Sequence, residues 1–308
     1  MRTQDIVIVG AGPAGLTAAI YARRAGKNVL ILEGESFGGQ ITHSPKVENY
    51  PGFPAISGME LADKLTEQVL ALGAEIELDR ATGIETAGGT FLIHGEAGDY
   101  EARAVIVAAG SHHRTLGLPG EEELVGNGIS YCAICDGAFY AGRDVAVIGG
   151  GNTALQEAVM LSERCASVTV IQNLPTLTGE ESLAAILRTK ENVHFLFSHT
   201  VSGFIGKELL TGLRLRDGEG KECEIRVDGV FVAIGQVPEN GPFADLAELD
   251  ERGYFASDEA CTTGTPGLFV AGDCRRKQIR QITTATADGA VAALAACRYL
   301  DDLAARDR

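Results

Sequence analysis

The sequence predicts an α/β fold made of two Rossmann-like (three-layer ββα) dinucleotide-binding domains. Three observations carry that expectation. A strand, glycine turn, helix and strand follow one another in DIVIVGAGPAGLTAAIYARRAGKNVLILEG, residues 5–34. The same order returns from Asp144 in DVAVIGGGNTALQEAVMLSERCASVTVIQ. The length of 308 residues, with 45% hydrophobic and 22% charged content, suits two domains that each bury a core.

In the first unit, residues 6–9 read as a buried strand of β-branched residues. Gly10, Gly12 and Gly15 form a G-x-G-x-x-G turn, a helix is expected over 14–25, and a strand over 28–32 leads to Glu33. A lone G-x-G-x-x-G is weak evidence. Here it lies between strand and helix, and an acid stands 23 positions after Gly10. Gly12 admits a pyrophosphate to the backbone, the helix N-terminus favours its charge, and Glu33 can accept from a ribose hydroxyl.

In the second unit the expected strand is 145–148, the turn 149–154, the helix 153–162 and the next strand 168–172. Counting 23 from Gly149 reaches Gln172. NAD favours Asp or Glu there, and NADP favours a nearby Arg for its 2′-phosphate. The sequence supplies neither through Thr178, so the turn reads as scaffold rather than as an NADPH site. NADH held through Gln172 stays open. Elsewhere a helix is expected at 58–72, with strands at 75–78, 91–94, 104–107, 229–234 and 268–271. A loop at 235–242 precedes the last strand, and a helix at 283–300 follows it.

The net charge of −16 argues against nucleic-acid or anionic-membrane partners, and no apolar run reaches the roughly 20 residues of a membrane span. The N-terminus enters a strand almost at once, and seven cysteines, an odd count, suggest reduced thiols; a cytoplasmic protein is expected. The one close cysteine pair is Cys132 and Cys135 in SYCAICDG. It can be half a zinc site or a redox disulfide. The other cysteines (165, 223, 261, 274 and 297) form no second close pair, which favours the disulfide and no metal. Asp136 follows at once and can exchange a proton with the second sulfur. His112 and His113 have no third ligand in view, and CRRKQIR, 274–280, can meet an acidic carrier, a flavin phosphate or solvent.

YCAICDG is similar to the CATCDG redox motif of low-molecular-weight thioredoxin reductases, with Ile134 in place of Thr. GAGPAG, GGQ, VENYPG, AAG, GGGNTA, AIGQVPEN, AGD and RQITTATADGA occur in that family's order along the whole chain. The resemblance implies an FAD-binding domain over 1–114 and 243–308, discontinuous, and a nicotinamide-nucleotide-type domain carrying the CxxC over 115–242. By it, Gly10, Gly12, Pro13, Ala14 and Gly15 meet the FAD pyrophosphate and Glu33 its ribose. Gly39, Gln40, Asn49, Ala109 and Gly110 line the flavin region. Gly272, Asp273, Arg280, Gln281 and Ile282 serve the ribityl chain and ring.

The same resemblance makes Cys135 the flavin-side sulfur, Cys132 the one that attacks thioredoxin or a thioredoxin-like protein, and Asp136 the acid–base. It also implies a homodimer with a swinging smaller domain. The departure lies after the second βαβ unit, where NADPH-using members carry His-Arg-Arg and a further Arg. Here those positions are Gln172, Asn173, Leu174 and Thr178. This resembles the branch that does not use pyridine nucleotides, and a ferredoxin-type donor is expected. An NADH-dependent reductase and a flavin/disulfide redox sensor without fast turnover are the alternatives.

Overall fold

The computed structural model describes residues 3–44 and 46–306. The chain divides into two compact units, one of residues 1–112 and 237–308 and one of residues 113–236.

The first unit opens with β1 (Thr3–Val9), α1 (Pro13–Arg24), β2 (Val29–Glu33), α2 (Gly58–Ala71) and β3 (Glu75–Leu78). β4 (Ala81–Ala87), β5 (Thr90–Gly95) and β6 (Asp99–Val107) follow. The chain leaves along β7 (Ser111–His113). The second unit contains α3 (Glu121–Leu124), β8 (Ile129–Ser130), α4 (Ala133–Asp136), β9 (Asp144–Ile148), α5 (Asn152–Ser162) and β10 (Ser167–Gln172). It continues through α6 (Glu181–Arg188), β11 (Val193–Phe197), β12 (His199–Ile205), β13 (Gly212–Asp217), β14 (Glu222–Arg226) and β15 (Gly229–Val232). The return passes along β16 (Gln236–Pro238), after which β17 (Leu268–Val270) and α7 (Ile282–Arg306) complete the first unit.

The first unit's sheet runs β3-β2-β1-β6-β5-β4, with β17 also on β6. β6 is long: besides β1 it serves two further partners, Ala102 pairing with Phe91 of β5 and Val105–Val107 pairing in parallel with β17. β1, β2, β3, β6 and β17 are therefore parallel and β4–β5 form an antiparallel meander. β1 is buried on both faces, which is why it reads as an unbroken β-branched run. Ile6 and Ile8 pack toward α1, α2 and α7, while Val7 and Val9 pack with Phe91 and Phe255. α1 and α7 meet closely. A Cβ on Gly289 would fall 2.1 Å from Ala14 O, so only glycine permits the approach.

The second unit repeats the parallel plan in β11-β10-β9-β15-β8 and adds an antiparallel sheet, β12-β13-β14. Its core joins Val145 and Val147 of β9 to Leu155, Ala158 and Leu161 of α5. Among the described residues no helix is long and apolar enough to cross a membrane.

Several elements differ from the sequence expectation. The strand expected at 229–234 stops at Val232, although Ala233 N still donates to Ile148 O at 2.9 Å. The final helix runs on to Arg306. β4, β11, the β12–β14 sheet, α6 and the four-residue helices α3 and α4 were not anticipated.

Candidate functional site

The first glycine turn is built by tight backbone contacts. Gly10 has φ 104°, and a Cβ there would lie 2.4 Å from Ala108 O. A Cβ on Gly15 would stand 1.9 Å from Gly10 O. Both positions require glycine for the strand to turn into α1. At Gly12 an added Cβ would meet nothing within 4 Å, so the turn backbone is open to approach there. Gly12 caps α1 without a side-chain bond, Pro13 follows it, and the first i→i−4 bond is Leu16 N to Gly12 O at 2.9 Å. The amides of Ala14 and Gly15 precede that bond and have no intrahelical acceptor.

Glu33, buried at the end of β2, accepts from Ala11 N at 2.7 Å through Oε2 and from Glu35 N at 2.8 Å through Oε1. It therefore holds the turn, each carboxylate oxygen engaging one backbone amide. Gly39 starts a 3-10 turn, and its Cβ position lies 3.3 Å from Gly12 Cα. Gln40 is exposed. Asn49 Nδ2 donates to Gln281 Oε1 at 3.0 Å, joining residues 232 positions apart. Ala109 and Gly110 follow β6, and Gly110 adopts φ 75°.

Gly272 packs on α1, its Cβ position 2.8 Å from Ala14 Cβ, and its N–H donates to Asp288 Oδ2 at 3.1 Å. Asp273 Oδ1 is buried with no hydrogen-bond partner among the described residues, and Lys277 Nζ stands 4.0 Å away. Burial pushes its carboxyl above the usual range, against the pull of Lys277 and Arg280. Arg280 lies 4.2 Å from the centre of the Tyr254 ring, and Ile282 opens α7.

Within the basic segment 274–280, Arg275 and Lys277 are turned inward while Arg276 is exposed. Asp288 accepts from Arg275 Nε and Nη2 and from Lys277 Nζ, each at 2.8 Å. These side chains are only 11% exposed for Arg275, 8% for Lys277 and 10% for Asp288. The cluster fastens α7 to the Gly272–Asp273 turn. Cys274 is fully buried, and burial pushes its thiol up to about 12, so it is inert.

In the second unit, Cys132 and Cys135 form a disulfide with Cα atoms 5.3 Å apart. Cys132 caps α4, its Sγ accepting from Cys135 N at 3.2 Å. Ser130 Oγ accepts from Cys132 N at 3.0 Å and donates to Asp136 Oδ2 at 2.6 Å. Burial raises the Asp136 carboxyl above its ordinary value, and the Ser130 bond partly offsets this. Sequence reasoning missed Glu157, whose Oε1 accepts from Ala133 N at 3.4 Å. It also missed Ser130 as the link between Cys132 and Asp136.

The second glycine turn repeats two backbone bonds of the first. Gly149 N donates to Ile171 O as Gly10 N does to Leu32 O. Gly179 N donates to Gly150 O as Gly38 N does to Ala11 O. What differs is the side chains. Gln172 is buried, its Nε2 donates to Thr176 O at 3.3 Å, and its amide lies on Gly150. Glu180 pairs reciprocally with Asn152 at the start of α5, through bonds of 2.7 and 3.1 Å. The next cations further along the chain are engaged elsewhere, Arg188 with Glu181 and Lys190 with Glu163. His112 Nδ1 lies 3.3 Å from Glu239, and His113 stacks on Tyr131. Among the described residues no three metal-ligating groups come together.

The profile of the pyridine nucleotide-disulphide oxidoreductase family matches residues 4–289. The chain belongs to that family. This pyridine nucleotide-disulphide oxidoreductase is 39% identical to the thioredoxin reductase of Bacillus subtilis over 308 residues, 98% of this chain and 96% of the relative. The crystal structure of thioredoxin reductase from Streptococcus pyogenes superimposes with a TM-score of 0.93 at 37% identity, covering 97% of this chain and 99% of that one. A ferredoxin-flavin thioredoxin reductase from Clostridium acetobutylicum aligns with a TM-score of 0.55 at 30% identity, covering 99% and 100%. The protein is thus a flavoprotein oxidoreductase of thioredoxin reductase type, with FAD as its cofactor. The open backbone at Gly12, the free first-turn amides and the orphaned Asp273 Oδ1 fit that cofactor.

Proposed function

We propose that this chain is an FAD-dependent disulfide reductase that reduces thioredoxin or a thioredoxin-like protein, and that its electron donor is not NADPH. The observation carrying the first part is the Cys132–Cys135 disulfide on α4, with Asp136 tied to it through Ser130. FAD, when bound, supplies the reducing electron pair. Gly10, Gly12, Ala14 and Gly15 would hold its pyrophosphate, Glu33 its ribose, and Asp273 with Gln281 its ribityl end. Cys132 attacks the partner's disulfide as thiolate, Cys135 resolves the mixed disulfide, and Asp136 holds the proton exchanged with sulfur. The protein works as a homodimer in the cytoplasm.

The donor reading rests on charge. Residues 172–179 contain no cation, and the carboxylate of Glu180 stands at the start of α5. Each Arg–phosphate bond forgone is worth about 1.5–3 kcal/mol, so losing two weakens NADPH binding by roughly 10²–10⁴-fold. Gln172 already spends one amide hydrogen on Thr176 O, which also weakens the NADH alternative. The similarity to a ferredoxin-flavin thioredoxin reductase supports ferredoxin or another low-potential carrier as donor.

The test is anaerobic mixing of the holoenzyme with NADPH, NADH or reduced ferredoxin while flavin absorbance is followed. Ferredoxin alone should bleach the flavin rapidly. Rapid bleaching by NADPH overturns the donor assignment. If reduced enzyme fails to reduce any thioredoxin from its own source, the redox-sensor alternative is favoured.

A further inference from the structure

Glu157 plays no part in the reading above, yet it lies against the redox turn. It sits on the face of α5 that packs on α4. Its Oε1 accepts from the amide of Ala133, the residue directly after Cys132. Its Oε2 is buried with no hydrogen-bond partner among the described residues. A carboxyl placed this way gains only one weak bond of 3.4 Å for its desolvation. A structural role would be served as well by Gln, which would keep the acceptor and carry no charge.

We infer that Glu157 is a positioning residue for the redox pair: it fixes the Cys132–Ala133 peptide and, by its own charge, sets how readily the Cys132 thiol ionises. The inference rests on the disulfide-reductase reading and is independent of the donor. Cleavage of the Cys132–Cys135 bond consumes one electron pair, which the family's activity supplies. The two sulfurs then bind two protons from solvent as a dithiol, or one as a thiol–thiolate pair. The thiolate is the nucleophile toward a partner's disulfide. An ionised Glu157 one peptide away opposes that second negative charge, and a neutral one does not.

Burial pushes Glu157 up to about 7, with the Ala133 bond pulling the other way, so its charge changes across the neutral range. The ionisable groups on the elements packed around it are Cys132, Cys135 and Asp136 on α4, Tyr140 just beyond, Asp144 on β9, and Glu181 with Arg188 on α6. Glu181 and Arg188 are bonded to each other. Asp136 has its own partner in Ser130. Glu157 is the sole ionisable residue of α5 itself.

The test measures iodoacetamide alkylation of Cys132 against pH in the reduced holoenzyme, read by mass spectrometry of the peptide carrying it. Free thiol at 132 and 135 is counted before and after reduction. Wild type should show two coupled steps, one near neutrality. Glu157→Gln should show a single step, with alkylation equal to wild type at pH 6 and about 3–10-fold faster at pH 8. Glu157→Asp should retain the two steps. Superimposable profiles for wild type and Glu157→Gln, or a rate change equal at both pH values, overturn the inference. If the Gln variant does not fold, the wild-type profile decides, and a single step there overturns it. A wild type with no reducible disulfide sinks the disulfide-reductase reading instead, so the two failures are told apart.

Discussion

Ser130 bridges the disulfide turn to Asp136: the hydroxyl accepts from Cys132 N and donates to Asp136 Oδ2 at 2.6 Å. The carboxyl is thereby aimed at the turn that carries the sulfurs, in a buried setting that lifts its affinity for a proton. Asp136→Asn keeps the shape and removes the proton. Turnover with thioredoxin should fall about 10²–10⁴-fold, the span expected for loss of a general acid–base. The disulfide itself should still form, as a thiol count will show.

Glu33 ties two backbone amides, Ala11 and Glu35, at the end of β2. Glu33→Ala leaves the buried Ala11 N–H unpaired and removes the proposed ribose acceptor. FAD should dissociate about 10–10³-fold more readily, on a cost of roughly 1.5–4 kcal/mol. The ratio of flavin to protein absorbance after gel filtration measures this. Retention of flavin at wild-type levels would place the ribose elsewhere.

Asp288 holds Arg275, Lys277 and the Gly272 amide at once. Burial alone would raise its carboxyl, but the two cations outweigh that and hold it below the ordinary carboxylate value. A depressed folded value means that the stabilisation is present above the unfolded value and is lost as pH falls through the folded one. Asp288→Asn should cost about 3–5 kcal/mol at pH 7, because two buried cations lose their partner. The cost should shrink as the wild type is acidified below pH 4. Thermal unfolding of both proteins across pH 3–7 checks the sign.

Much of this was legible in the sequence, for physical reasons. The two βαβ units announce themselves because a strand buried on both faces must be apolar, and the turns at Gly10 and Gly15 leave no room for a Cβ. The β12–β14 sheet was missed because it is short and β14 is largely exposed, so its alternation is mostly polar. α6 has only eight residues and follows a loop, so its amphipathic pattern spans barely two turns. Glu157 reads in TALQEAVML as an ordinary polar helix position, and its role depends on α4 packing above it. The pairing inside the basic segment 274–280 was not legible because the counter-charge of Arg275 and Lys277, Asp288, stands on a different element.

The electrostatic case against NADPH can be reversed by substitution. Asn173→Arg, Leu174→Arg and Thr178→Arg together restore cations to the loop that folds onto the second glycine turn. NADPH should then reduce the flavin about 10²–10⁴-fold faster at subsaturating concentration, with little change for NADH. Stopped-flow bleaching makes the comparison. An equal gain for both nucleotides would contradict the proposal that the missing phosphate clamp selects against NADPH.

The most direct measurement is an anaerobic reductive titration of the purified holoenzyme, counting electrons per bound flavin. The wild type should take up about two electron pairs, one of them for the Cys132–Cys135 disulfide, and a Cys135→Ser variant about one. A wild type that accepts a single pair, or a purified chain that retains no FAD, contradicts the account.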